Sequence, residues 1–200
     1  MDAYGSLEPV DITAMENVFS ALEKNTTIPV QGAHFASLIH AYGCVSKDLP
    51  KAISIFDSIG SHPRAGPPDA VAYEAIINTL VAHKRTDLMP QYVTKMQEQG
   101  VKMTAYIANF LIRGYANVGD LEQARAVFES LADPPEGVAA PGNHAPHESA
   151  VGTVAGTASS SDVGEPVYRE PSTWEVMVRA ELGAGERGRA TDLLERLKAR

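Results

Sequence analysis

Cysteine is nearly absent from this chain of 200 residues, which contains Cys44 and no other. A disulfide scaffold or a cysteine-based zinc site needs several thiols held together, so both are excluded. The sequence also lacks an apolar run of the roughly 18 to 20 residues that a membrane-spanning helix needs, so we expect no membrane partner. No basic start followed by an apolar stretch opens the chain, so no secretory signal or other targeting segment is predicted.

Motifs of catalysis are lacking as well. The sequence has no glycine-rich phosphate loop, no nucleophile elbow, no His-Glu-x-x-His and no cluster of carboxylates on one helix face. The pair His144 and His147 has no third ligand and lies in a proline-rich segment, so we expect no metal site. Cys44 follows Gly43 in a turn and is interpreted as a small apolar residue. We therefore expect a protein that is not an enzyme, with no cofactor and no small-molecule substrate.

Basic residues are too few to cover the whole surface with a nucleic-acid site. The chain has 17 Lys and Arg against 25 Asp and Glu, a net charge of -8. Residues 1–133 hold 10 basic and 15 acidic side chains, residues 134–170 hold 1 and 5, and residues 171–200 hold 6 and 5. Phosphate binding draws on clustered Lys and Arg, which disfavours such a surface. Without residues 134–170 the net charge is -4, so the argument against RNA is weaker for the rest of the chain.

The composition changes abruptly between Pro134 and Glu170. Of these 37 residues, 22 are Pro, Gly, Ala, Ser or Thr, with no helical or alternating apolar period. Such a segment buries too little apolar surface to offset the entropy of ordering it. We expect a disordered insertion that can be deleted without loss of the fold.

Outside this segment, one helical pattern recurs. In five places a small or flexible residue is followed, three and four positions later (four and five in the first copy), by two apolar residues and then by another apolar residue three further on. The patterns start at Ala14, Ala52, Met89, Ala124 and Ala190. These spacings line one face of a helix. Asp120 is a fair N-cap for the fourth copy, and the preceding Gly119 fits a short turn between two helices.

A first helix precedes four of these copies. These first helices align on Phe35, Tyr73, Ala108 and Trp174, and the three aromatic residues among them are interpreted as core residues. The residues that follow them are 38, 35 and 66 positions apart, and 66 equals 35 plus 31. The composition break is therefore an insertion between periodic units. Repeated αα-hairpins bury their apolar faces against their neighbours. The sequence predicts an all-α fold, a right-handed superhelical α-solenoid of repeated αα-hairpins with a disordered insertion.

Six segments are predicted along the chain. They are a partial repeat at 1–31, repeats at 32–69, 70–104 and 105–133, the insertion at 134–170 and a C-terminally truncated repeat at 171–200. We expect both ends of the chain to cut through a longer repeat array.

Motifs within the repeats point to one family. The unit from Ala70 to Thr104 holds Tyr73-Glu74, Ile76-Ile77 and Met96, and ends on Gly100-Val-Lys-Met-Thr104. The unit before it ends on Gly66-Pro-Pro-Asp69. With a period of 35, these features resemble the pentatricopeptide repeat family, whose repeats carry Tyr-Asn and Leu-Ile, a Gly turn, Ala-x-x-x-Phe-x-x-Met and a Gly-x-x-Pro-Asp tail. The resemblance covers nearly all of the chain outside 134–170.

The resemblance implies a fragment of a mitochondrial protein that binds single-stranded RNA and acts in RNA processing, stability or translation. In that family each repeat reads one base with its fifth and last residues, and an apolar second residue wedges between bases. Carried onto this sequence, the candidate fifth positions are Ala36, Glu74, Asn109 and Glu175. The candidate last positions are Asp69, Thr104 and, across the insertion, Glu170. The candidate wedges are Ala33, Val71, Tyr106 and Ser172.

Three alternatives stay open at this stage. Asn109 has the residue type that base reading expects, and it could equally hydrogen-bond the neighbouring repeat. Glu74 and Glu175 place negative charge where phosphates would approach, and a solvated helix face explains them well. The alternative function is a helical-repeat scaffold that binds a protein partner in its concave groove.

Overall fold

The structure is a computed structural model that describes residues 11–135 and 166–199. The described residues form helices and turns, with no β-strand among them, so the all-α prediction is confirmed. The chain divides into two compact units, Met1–Val101 (unit 1) and Lys102–Arg200 (unit 2). The helices of unit 1 are α1 (Ile12–Lys24), α2 (Gly32–His40), α3 (Leu49–Ser58), α4 (Ala70–Ala82) and α5 (Met89–Glu98). Those of unit 2 are α6 (Ala105–Asn117), α7 (Leu121–Ser130), α8 (Pro171–Gly183) and α9 (Arg187–Lys198).

Unit 1 consists of helical hairpins stacked through aromatic side chains. Helix α2 packs against α3 and α4, and α4 packs against α5. The rings of Phe19 and Phe35 meet edge to face with centroids 5.1 Å apart, and Phe56 meets Tyr73 in the same way at 5.1 Å. Each pair joins a second helix to the first helix that follows it. Edge-to-face aromatic pairs add to the gain from burial, so the repeated aromatic position holds successive hairpins together.

Unit 2 repeats this arrangement. Helices α6 and α7 form one hairpin, α8 and α9 form another, and α6 packs against α8. Phe128 on α7 meets Trp174 on α8 edge to face at 5.0 Å. Around this pair lies a core that includes Ile112, Met177 and Leu193. The interpretation of Phe35, Tyr73 and Trp174 as core residues is confirmed, since all three are buried.

Short polar side chains start most of the helices. The carboxylates of Asp11, Asp48 and Asp120 accept backbone N–H bonds from the first turns of α1, α3 and α7. These acceptors satisfy N–H groups that have no partner inside the helix. The predicted cap at Asp120 is thus confirmed, and Gly119 before it has φ +82°, a left-handed conformation that glycine adopts without strain.

The predicted insertion, 134–170, lies mostly outside the described residues, and so do His144 and His147. Its last five residues, 166–170, are described and form part of unit 2. The backbone N–H of Ala132 donates to the carbonyl of Val167 at 2.9 Å, and the N–H of Arg169 donates to the carbonyl of Ala132 at 2.8 Å. Arg169 is 6% exposed. The burial of Arg169 could not be predicted from the composition of this segment. Its partners, the carboxylates of Glu129 and Asp133 and the ring of Phe128, lie about 40 residues earlier in the sequence.

Replacing residues 136–165 with a linker of about ten Gly and Ser residues is expected to leave unit 2 almost unchanged. The bonds between Ala132 and residues 167–169 hold the two ends of the segment together, and loop length adds little to the entropy of closing a loop. Far-UV circular dichroism and the urea midpoint measure the outcome. The control linker variant also removes residues 166–170 and should be clearly less stable, because it lacks Arg169. A large loss in the first variant would show that the replaced segment packs.

Two features of the described residues bear on function classes. Across 11–135 and 166–199, no helix combines the length and apolarity that crossing a membrane requires. Over the same ranges, no three side chains of His, Cys, Asp or Glu lie together as a metal ion would need.

Candidate nucleic-acid interface

The candidate base-reading residues lie at the N-terminal ends of the first helices. Gln31, Asp69, Thr104 and Glu170 are the N-cap residues of α2, α4, α6 and α8. Each candidate fifth position lies five residues after one of these caps, in the second turn of its helix. A last-position residue is therefore fixed by the helix that begins the next repeat. The N-cap role of the last-position residues could be recognised in the sequence only once the first residue of each helix was known.

In unit 1, the Asp69 carboxylate lies against the start of α2. It accepts the N–H of Ala72 at 2.9 Å, and a Cβ added to Gly32 would lie 2.1 Å from both of its oxygens. Gly32 is the first residue of α2, and Ala36 is one turn further along the same helix. The repeat at 32–69 thus has its last residue in contact with its own first helix, near the fifth position. Glycine at 32 is what permits this approach.

The other candidates of unit 1 lie on α4. Val71 and Glu74 are half-buried on this helix, whereas Tyr73 between them is fully buried. The Tyr73 hydroxyl donates to Gln99 Oε1 at 2.8 Å. Burial, with the carboxylate of Glu98 as a smaller cause, raises the pKa of Tyr73 to about 12. The ring is therefore a neutral core group and is not available for base stacking.

In unit 2, Asn109 reaches the start of the next first helix. Its Nδ2 donates to Ser172 Oγ at 3.0 Å, and Ser172 lies two residues after the N-cap Glu170. The Oδ1 atom of Asn109 is buried and has no hydrogen-bond partner in the described part of the chain. A buried carbonyl without a partner is costly, so this amide retains an unmet capacity to accept a hydrogen bond. The neighbour contact that the sequence left open is thus present, between two candidate RNA-contacting positions.

The remaining candidates of unit 2 differ in exposure. Thr104 is 3% exposed, and its hydroxyl accepts the N–H of Ile107 at 3.2 Å as the cap of α6. Tyr106, two residues later, is 47% exposed, the exposure that a wedge between bases would need. Glu175 is exposed and pairs with Arg179 one turn along α8, at 2.7 Å. Its charge is therefore partly compensated on its own helix.

Comparison with known proteins identifies the family. A family model described as pentatricopeptide repeat-containing protein matches residues 8–131, more than half of the chain. The chain belongs to the pentatricopeptide repeat family.

Two curated pentatricopeptide repeat proteins are similar to this chain. The "Pentatricopeptide repeat-containing protein 5, mitochondrial" of Schizosaccharomyces pombe is 31% identical over 200 residues, which is 99% of this chain and 13% of that protein. A pentatricopeptide repeat-containing protein of Arabidopsis thaliana is 34% identical over 64 residues, or 32% of this chain and 12% of that protein. The matched regions therefore span about an eighth of the length of these relatives.

A solved pentatricopeptide repeat structure has the same fold. The crystal structure of the pentatricopeptide repeat protein PPR10 from maize matches with a TM-score of 0.57 at 17% identity. The match covers 92% of this chain and 21% of the maize chain. The helical-repeat solenoid class predicted from the period of 35 is thus confirmed.

Most residues of this candidate interface could be named from the sequence, but their contacts could not. Gly32 was not singled out, although a glycine opening a helix can indicate close backbone approach. The bond from Asn109 to Ser172 joins residues 63 positions apart across the insertion, and no local pattern could reveal it. The burial of Thr104 could not be predicted either, because the adjacent residues do not indicate whether an N-cap side chain faces solvent or the protein interior.

Proposed function

We propose that this chain binds single-stranded RNA, as part of a mitochondrial pentatricopeptide repeat protein that acts in organellar RNA processing, stability or translation. The observation that carries the proposal is that, in two repeats, the last position or the turn beside it lies close to the helix that carries the fifth position. Asp69 touches the helix that carries Ala36, and Asn109 reaches the turn that follows Glu170. Reading one base with two side chains of a repeat requires this proximity. The mitochondrial relative supports the location.

The acidic residues at these positions oppose RNA less than their formal charge indicates. Asp69 caps α4, where the partial positive charge of the helix start compensates its carboxylate. Glu175 pairs with Arg179. We infer that Asn109 accepts a hydrogen bond from a base through Oδ1, after its amide leaves Ser172. Tyr106 and Val71 are the proposed wedges, with Tyr106 the more exposed of the two.

Replacing Asn109 with alanine tests this assignment. Wild-type chain is expected to bind a labelled single-stranded RNA pool with micromolar affinity at about 50 mM salt, measured by fluorescence anisotropy. Asn109→Ala should weaken binding about fivefold or more, because one base-edge contact is worth about 1–3 kcal/mol. The matched control is Asn117→Ala, an exposed asparagine at the end of the same helix, which should bind as wild type does.

Two results would contradict the proposal. An absence of binding by the wild-type chain up to about 100 μM protein at low salt would exclude RNA for this part of the protein, since non-specific binding alone reaches that range. Equal affinity of Asn109→Ala and Asn117→Ala would remove Asn109 from the interface. Binding of a protein partner without RNA binding would instead support the scaffold function.

A further inference from the structure

The turn that follows each first helix contains one residue in the left-handed conformation. In unit 2 these residues are Gly119 and Gly185, with φ +82° and +83°. In unit 1 they are Lys47 and Lys84, with φ +58° and +56°. The left-handed region costs a lysine free energy that it does not cost glycine, because the lysine Cβ crowds the following carbonyl oxygen. Unit 1 therefore accepts strain at two equivalent positions where unit 2 has none.

The structure brings the two lysine turns side by side. After α2 the chain continues into a π-helical turn at Ala41–Val45, which packs against α4. The ring Nε2 of His83, directly before Lys84, donates to the carbonyl oxygen of Gly43 at 2.8 Å. Gly43 allows this approach, since a Cβ there would lie 2.2 Å from a methyl carbon of Thr79. Lys47 and Lys84 thus extend from neighbouring turns of one unit.

The ammonium groups of Lys47 and Lys84 are exposed, and neither forms an ion pair with another residue of the described ranges. Lys51 adds a third exposed cation, with its Nζ 5.5 Å from the ring centroid of Tyr42. Arg85 differs, because Asp87 binds its guanidinium through two hydrogen bonds of 2.8 and 2.7 Å. Asp48 is the acidic neighbour of Lys47, and its carboxylate is engaged with the N–H of Lys51 at the start of α3.

This concentration of positive charge contrasts with the rest of unit 1, which has 7 Lys and Arg against 11 Asp and Glu. A cation near a helix C-terminus interacts favourably with the helix dipole, and that interaction explains part of the arrangement. It does not explain why lysine occupies the strained position itself, because a lysine one turn earlier would gain the same interaction without strain. Strain kept in a native structure points to a role for the residue that carries it.

We propose that Lys47 and Lys84 form a phosphate-binding edge, the lysine edge, that contacts the backbone of single-stranded RNA; this rests on the function proposed above. The ammonium groups carry no sequence information, so the lysine edge adds affinity and holds the strand while the fifth and last positions contact bases. The RNA backbone is the partner that the proposed base contacts would bring to unit 1. An acidic protein segment is the competing occupant.

The double variant Lys47→Gly/Lys84→Gly separates this role from a structural one. Glycine removes both charges and also relieves the backbone strain, so the urea midpoint should stay equal or rise. RNA affinity should fall about tenfold at about 100 mM salt, and the slope of log K against log salt should become shallower by about 1.4, at roughly 0.7 for each lost phosphate contact. Lys47→Arg/Lys84→Arg should retain the slope. Lys24→Gln, an exposed lysine at the end of α1, is the single-charge control and should leave the slope unchanged.

The outcomes distinguish this proposal from the one on which it rests. If the wild-type chain binds the RNA pool and the double glycine variant binds with equal affinity and slope, the lysine edge is wrong while RNA binding stands. If the wild-type chain binds no RNA, both proposals fail. If the glycine variant loses affinity for poly-glutamate and keeps its affinity for RNA, the lysine edge is a site for an acidic protein, and the phosphate assignment is overturned.

Discussion

Replacing Arg169 with alanine is expected to lower the free energy of unfolding of unit 2 by about 3 kcal/mol. The Arg169 side chain is 5% exposed and pairs with Asp133 at 2.7 Å and with Glu129 at 2.9 Å. Its Nε donates to the carbonyl of Phe128 at 3.0 Å, and the guanidinium carbon lies 4.6 Å from the Phe128 ring centroid. Alanine removes all of these contacts at once and leaves a cavity beside the ring of Trp174.

The fluorescence of Trp174 measures this effect, because the chain has one tryptophan and it lies in the same core. With a urea m-value of about 2 kcal/mol/M, the midpoint should move down by about 1.5 M. Arg196→Ala is the matched control. Arg196 pairs with the same Glu129 at 2.8 Å, but its side chain is 45% exposed. Exposed ion pairs contribute about 0–1 kcal/mol, so equal effects of the two variants would contradict the anchoring role of Arg169.

The helical repeats could be predicted from the sequence because their signal is local and recurs. Ala52 and Ala124 head the same apolar pattern, and both are fully buried at hairpin contacts. Phe35, Tyr73 and Trp174 recur at one register of the first helix, and each meets an aromatic ring of the preceding second helix. A stacked repeat uses the same contact many times, so several copies of a pattern specify it better than one copy can.

The candidate site was only partly predictable because its contacts join separate helices. The repeat register predicts Asp69 and Asn109 as candidate reading positions. The close approach of Asp69 to Gly32, and the bond from Asn109 to Ser172, depend on how neighbouring first helices pack. The sequence places Arg169 in the insertion because composition describes a whole segment and not single residues. One buried charged residue in a polar segment also produces no periodic apolar pattern.

The π-helical turn at Ala41–Val45 is partly indicated by the spacing of the repeats. The candidate fifth positions Ala36 and Glu74 are 38 residues apart, whereas Glu74 and Asn109 are 35 apart. Extra residues in one repeat must be accommodated somewhere, and a π turn accommodates one within a helix. Spacing alone could not locate it or reveal that Gly43 lies against Thr79. That contact follows from the packing of the π turn on α4.

Replacing Gly43 with alanine is therefore expected to destabilise unit 1 by about 2–3 kcal/mol. The new Cβ would lie 2.2 Å from Thr79 Cγ2 and 2.6 Å from Thr79 Oγ1, and Thr79 is fully buried. Backbone displacement would also weaken the hydrogen bond from His83 to the Gly43 carbonyl. The urea midpoint followed by far-UV circular dichroism should fall accordingly.

Two further variants show whether the contact with Thr79 is the cause. Gly60→Ala adds the same methyl group in unit 1 where nothing lies within 4 Å, so its midpoint should stay close to that of wild type. Thr79→Ala removes the methyl and hydroxyl groups that the new Cβ would meet. In the double variant Gly43→Ala/Thr79→Ala, the destabilisation should be smaller than the sum of the single effects by about 1 kcal/mol or more, as expected for residues in direct contact. Additive effects would instead show that the π turn responds to alanine at position 43 through its own backbone.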